Sequence, residues 1–176
     1  MSISSKVSKT ADPRAERADL LAFLQAQRRS VLAIIEGLDH RTIRQSAVPS
    51  GWTPLGMIEH LAHAERFWFQ QVLTGQADPL PWPPERDHPD AAAFVSSHEP
   101  DRVLAFYRDQ CHRSDTVLAA TSLSATPAGH VPADMAEEIH SVRGVVLHII
   151  EETARHAGHL DIARELIDGR TGLGPR

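Results

Sequence analysis

Glu152 and His156 stand four residues apart in "EETARHAGHLDIAREL", residues 151–166. On a helix that spacing stacks a carboxylate and an imidazole on one face, where both can reach a single point. Oxygen and nitrogen donors so placed suit a divalent cation such as zinc. Two ligands make an incomplete site, and "TPLGMIEHLAHAERFWF", residues 53–69, offers a third. There His60 shares a helical face with Met57, Ala64 and Phe67, an otherwise apolar strip expected to look inward. Three protein ligands with an open fourth position is the arrangement expected of a catalytic metal.

Burial is what makes the pair informative. On a helical wheel anchored at Val145, the residues Ile149, Glu152, His156, His159, Leu160, Ala163 and Ile167 fall in one inward sector, with Glu152 and His156 near its centre. A carboxylate there loses hydration, which costs several kcal/mol unless a cation or strong donors replace the water. His159, three residues beyond His156 and also read as inward, opens an alternative ligand pair, and His148, four residues before Glu152, raises the same ambiguity. His63 reads as half-exposed or adjoining the ligands. A helix rotated outward would instead pair Glu152 with Arg155 or Arg143. Neither "EHLAH" nor "RHAGH" has the His-Glu-x-x-His order of zinc peptidases, so protease chemistry is discounted.

The chain holds 11 histidines in 176 residues, of which His40, His88, His98, His112 and His130 lie in polar or loop-like surroundings and read as solvated. A net charge of -5 and scattered arginines leave no basic field, which disfavours nucleic acid as a partner. No apolar run approaches the ~20 residues that span a bilayer, and "MSISSKVSKT" lacks the apolar stretch of a signal peptide. A soluble cytoplasmic chain with no membrane partner is the expectation. The single cysteine, Cys111, fits a reducing compartment and reads as a small buried residue, a poor nucleophile without a neighbouring base. The charges of "ERADLLAFLQAQRRS" read as a solvated helix face.

Four helices must position these residues. Asp12 with Pro13, and Thr53 with Pro54, are cap-then-proline starts; the first helix is expected to end near Gly37 to His40 and the second near Gly75. A third runs from about Pro100 to Thr121, and the last from about Val142 to Asp168, stopped by Gly169. Residues 76–100 carry six of the twelve prolines and read as a long ordered loop or lid, in which Trp82 either caps the pocket or covers a homodimer contact. Trp52, Phe67, Trp68 and Phe69 read as core aromatics. With no strand pattern, the fold class is all-α, a four-helix bundle with long connectors. Residues 1–11 form a disordered tail, 12–172 one domain, and 173–176 a C-terminal tail.

The combination of "SGWTPLGMIEHLAHAERFWF" with "HIIEETARHAGHLDIARELIDG" resembles the DinB-like superfamily, in its actinobacterial branch of mycothiol-dependent S-transferases and maleylpyruvate isomerase N-terminal domains. The similarity runs from about Ala18 to Gly172. It implies a four-helix bundle holding a divalent metal between helices 2 and 4, zinc first and nickel or another divalent ion next. By position the ligands are His60, Glu152 and His156, with His159 one turn beyond as a residue that orients a ligand or lines the pocket. The implied activity is that of a metal-dependent thiol S-transferase, joining a low-molecular-weight thiol such as mycothiol or bacillithiol to a small electrophile. Two other readings remain: a metal-stabilised stress-response or binding protein without turnover, and a metal-dependent hydrolase. A thiol enzyme calls for an accessible, polar mouth at the metal, whereas a structural site calls for a fourth protein ligand.

Overall fold

The helices begin where capping chemistry dictates. In the computed structural model, which describes residues 12–82 and 94–172, the side chains of Asp12, Thr53 and Ser141 accept hydrogen bonds from the backbone N–H groups of Arg14, Gly56 and Gly144 at 2.9, 3.0 and 3.3 Å. Each satisfies a donor that a helix start leaves orphaned. The elements that follow are α1 (Pro13–Ile35), α2 (Pro54–Glu65), α3 (Pro100–Ala120) and α4 (Val142–Asp168), with a 3-10 turn at Thr42–Arg44. Gly75 and Gly169, at φ +75° and +77°, stop α2's extension and α4 in a conformation that costs glycine little. Among the described residues there are four helices and no strand. None of the helices is long and apolar enough to cross a membrane. The two tails, His88 and residues 83–93 of the proline-rich connector lie outside the described residues.

One local feature was not expected. Beyond Glu65 the second helix widens into a π-wound stretch, Arg66–Val72. Trp68, Phe69 and Gln70 are buried in succession there, which the wider winding accommodates better than a regular turn. The periodicity of "RFWFQQV" carries no signal for it.

Side-chain contacts fix the helix directions. Glu16 meets Arg143 near the starts of α1 and α4, and Arg164 donates to the carbonyls of Ile34 and Glu36 near their ends, so these two helices run parallel. His63 packs on Phe106 and Gln70 donates to Gln110, so α2 and its extension run parallel to α3. His60 opposite Glu152 and Trp68 opposite His148 set α2 antiparallel to α4. A parallel α2–α3 pair requires its connector to return along the helices, which is why residues 76–99 are so many. Trp82 on that connector is 5 % exposed and wedged against His98, Phe106 and His63. It packs against rings of its own chain, whereas the sequence alone leaves it either to cap the pocket or to cover a dimer contact. His98, expected to be solvated, stacks on Trp82 at 4.1 Å and lies 3.5 Å from Glu59. Burial pushes the Glu59 carboxyl up, but hydrogen bonds from His63 and Ser96 and the charge of His98 hold it below its ordinary value.

The apolar interior falls into two clusters. One gathers Val31, Leu55, Ile58, Leu61, Tyr107 and Leu160; the other gathers Leu24, Phe69, Leu118, Val145 and Ile149. Between them each helix contributes buried polar side chains: Arg28, Glu65, Gln110 with Ser114, and Thr153. Arg28 grips Glu65 through two hydrogen bonds of 2.7 and 2.6 Å and reaches Asp115 at 2.7 Å. Arg28 therefore departs from the solvated-face reading of residues 16–30, because a carboxylate on α2 compensates its charge inside the protein.

Candidate metal centre

The facing sides of α2 and α4 bring the sequence-selected trio together. His60 leaves α2 and His156 leaves α4, and both Nε2 atoms converge on Glu152 Oε1, at 2.8 and 3.0 Å. The two imidazole centroids are 4.9 Å apart. One nitrogen or oxygen from each residue lies within 4.8 Å of the others, and among the described residues no other group of histidine, cysteine or acidic side chains converges so. His156 is buried, while His60 and Glu152 are partly accessible, so the cluster opens to one side. Hydrogen bonds from His156 and then His60 hold the Glu152 carboxyl well below the usual carboxylate range, against the opposing effect of burial.

This donor set fits a divalent cation. Two imidazole nitrogens and a carboxylate oxygen are borderline-hard ligands, and their mutual spacing needs little closure around an ion with ligand distances of about 2.0–2.2 Å. In the arrangement observed, each Nε2–H donates to the carboxylate. Holding a cation through Nε2 would place the remaining proton of each imidazole on Nδ1.

Two placements differ from the helical-wheel reading. The buried stripe of α4 runs through Val146, Ile149, Thr153 and Leu160, rotated about 60° from the sector centred on Val145. Glu152 therefore lies at the rim of the stripe, its side chain 22 % exposed. His159 lies further out and is exposed, not inward-facing. It still touches the cluster: its Nδ1 is 3.3 Å from His156 Nδ1, and its ring is 6.3 Å from that of Trp52. His148 packs on Trp68 at 4.5 Å and stands outside the trio, with burial lowering its pKa. Glu152 is not claimed by arginine: Arg155 pairs with Glu151 and Arg143 with Glu16.

Sequence reasoning missed Phe94. Its ring meets His60 edge-on at 4.6 Å and His156 at 5.7 Å, and its backbone sits at φ 59°, the one non-glycine residue with positive φ among those described. For a bulky side chain that conformation costs about 1–3 kcal/mol and persists only where the surroundings over-determine it. The only sequence trace is Gly56, whose missing Cβ makes room for the Phe94 carbonyl.

No curated protein matches the chain. A family model described as mycothiol-S-transferase matches residues 19–169, a span that contains α2, α3, α4 and the whole His60–Glu152–His156 cluster. The chain thus belongs to the mycothiol-S-transferase family, within the DinB-like actinobacterial branch.

Proposed function

We propose that this protein is a metal-dependent thiol S-transferase that joins mycothiol, or a thiol like it, to a small electrophile. The observation that carries the reading is the convergence of two histidine nitrogens on one partly buried carboxylate in a chain of this family. His60, Glu152 and His156 would hold the cation, zinc being the expected ion. A divalent ion there supplies a Lewis acid that favours the thiolate of a bound thiol at neutral pH. Among the described residues no fourth histidine, cysteine or acidic residue joins the three, which favours an exchangeable position over a closed structural site.

The chain's own residues have separable tasks. Glu152 offers the one negative charge of the set, and the two imidazoles lie in reach on either side of it. With its Nε2 holding the ion, His156 would carry its proton on Nδ1, and His159 Nδ1, 3.3 Å away, is placed to accept a hydrogen bond from it and fix that tautomer. In the transfer itself the thiol gives up its proton to solvent, the sulfur lone pair forms the new S–C bond, and the carbon–leaving-group bond of the electrophile breaks as the leaving group departs with its electron pair, as chloride does from monochlorobimane.

Metal analysis of purified protein, beside His60→Ala and Glu152→Ala, tests the cation. Stoichiometric metal in the wild type and its loss in either variant is the expected result; full retention in both would sink the site. Turnover of monochlorobimane with mycothiol, bacillithiol and glutathione then tests the activity. A metal-dependent rate that is highest with mycothiol is expected, and no rate with any of the three would favour a metal-stabilised protein without turnover.

A further inference from the structure

We propose that Phe94 is the wall of the candidate metal centre, setting the size and polarity of the group that can reach it; this rests on the metal reading above. Two of the three trio residues, one on α2 and one on α4, stand against its ring, at 4.6 Å for His60 and 5.7 Å for His156. The ring comes from a third element, the segment that returns to α3, so it flanks the site from a side that neither ligand helix covers.

The backbone around Phe94 is built to keep the ring there. Its carbonyl accepts the Thr53 N–H at 3.0 Å, while the Thr53 hydroxyl caps α2 through the Gly56 N–H. A Cβ on Gly56 would lie 2.0 Å from the Phe94 oxygen and 2.2 Å from its carbon, so only glycine admits the segment. Left-handed backbone, a glycine demanded by contact and a hydrogen bond to the cap residue are three separate constraints on one residue. All three tie Phe94 to the start of the helix that carries His60. Half-buried Trp52, adjoining the clamp, extends the aromatic flank towards His159. The Phe94 ring itself offers neither donor nor acceptor, and a carboxylate set against it would lose hydration without replacement, so an apolar electrophile fits this side better than a carboxylated one.

The test uses cobalt(II)-loaded full-length protein titrated with imidazole and with 4-phenylimidazole, read by the cobalt visible spectrum, without recourse to turnover. Phe94→Ala is expected to raise the affinity for 4-phenylimidazole relative to imidazole about tenfold, the scale of a hydrophobic size filter. Gly56→Ala, which displaces the Phe94 backbone and leaves the ring chemistry intact, is expected to move the ratio in the same direction. An unchanged ratio in both cobalt-bound variants overturns the assignment of Phe94. Failure of the wild type to take up cobalt overturns the metal reading instead. The wall itself is then decided in metal-free protein by diethylpyrocarbonate modification of His60 and His156: several-fold faster in Phe94→Ala supports it, and equal rates overturn it.

Discussion

Glu65 and Glu152 are both carboxylates drawn into the interior, and they are held by different kinds of partner. Glu65 is 1 % exposed and bound by both arms of Arg28, which also reaches Asp115. Burial opposes the Arg28 charge, but attraction to Glu65 more than offsets it, so the guanidinium stays charged. Glu152 is partly exposed and bound by two imidazoles, each of which carries a nitrogen able to ligate a cation. A guanidinium cannot be exchanged for anything, whereas a proton on Nε2 can be exchanged for a cation. The first cluster is suited to fixing helices and the second to holding a ligand, although α2 carries a member of each.

The sharpest way to break that contrast is to remove Arg28. Arg28→Ala leaves Glu65 buried without its partner, and is expected to lower unfolding stability by about 3–5 kcal/mol, measured in urea. The folded fraction should keep its full metal complement. A variant that instead lost metal as completely as Glu152→Ala would show that the two clusters act as one.

Glu152→Ala reverses the pattern. Metal affinity should fall by at least about 100-fold, beyond the loss typical of residues that only orient ligands, while the metal-free protein loses less stability than Arg28→Ala does, because Glu152 is partly exposed and the guanidinium pair is not. The clearest readout is linkage. Added metal at 100 times its dissociation constant should stabilise the wild type by about 2.7 kcal/mol and leave Glu152→Ala unmoved. Equal stabilisation of both proteins would mean that the ion binds elsewhere.

How much of this was legible in the sequence depended on range. The starts at Asp12, Thr53 and Ser141 and the stop at Gly169 rest on contacts within a few residues, and they stand in the structure where local chemistry places them. The meeting of His60 with Glu152 and His156 was legible because helical periodicity and the resemblance selected the same residues. The rotation of α4 was not, because two of its buried residues, Thr153 and Arg164, are polar types that a wheel assigns outward. Arg28 was hidden for a similar reason: its carboxylate lies on another helix, 37 residues along the chain. Phe94 depends on the return of a connector across the α2 start, a long-range event that neither composition nor spacing encodes.

Cys111 sharpens the comparison from the Glu65 side. Burial pushes its thiol up to about 12, with the Glu65 charge adding to the effect. Below pH 9 the thiol is protonated in both folded and unfolded chains, so its contribution to stability is complete there and is lost as pH rises from 9 towards 12. At pH 8 its alkylation by iodoacetamide should be at least about 100-fold slower than in the urea-unfolded chain, because the thiolate is the reacting form. Such inertness is what the proposed function requires of the protein's own thiol. Fast modification of Cys111 in the native protein would place a reactive sulfur inside the cluster read as structural.

The smallest effect supplies the control that the Glu152 result needs. Gly158 lies in α4 between His156 and His159, exposed, with nothing within 4 Å of the Cβ it lacks. Gly158→Ala should therefore stabilise the helix by about 0.5–1 kcal/mol, since alanine orders at lower entropic cost and meets no obstacle. If metal content follows α4 stability, this variant should bind more tightly than wild type, and Glu152→Ala would have lost metal merely by loosening the helix. If metal content follows the ligand set, Gly158→Ala should raise the urea midpoint and leave metal affinity where it was. Paired measurements on the two variants thus separate a helix that supports the site from the carboxylate that holds the ion.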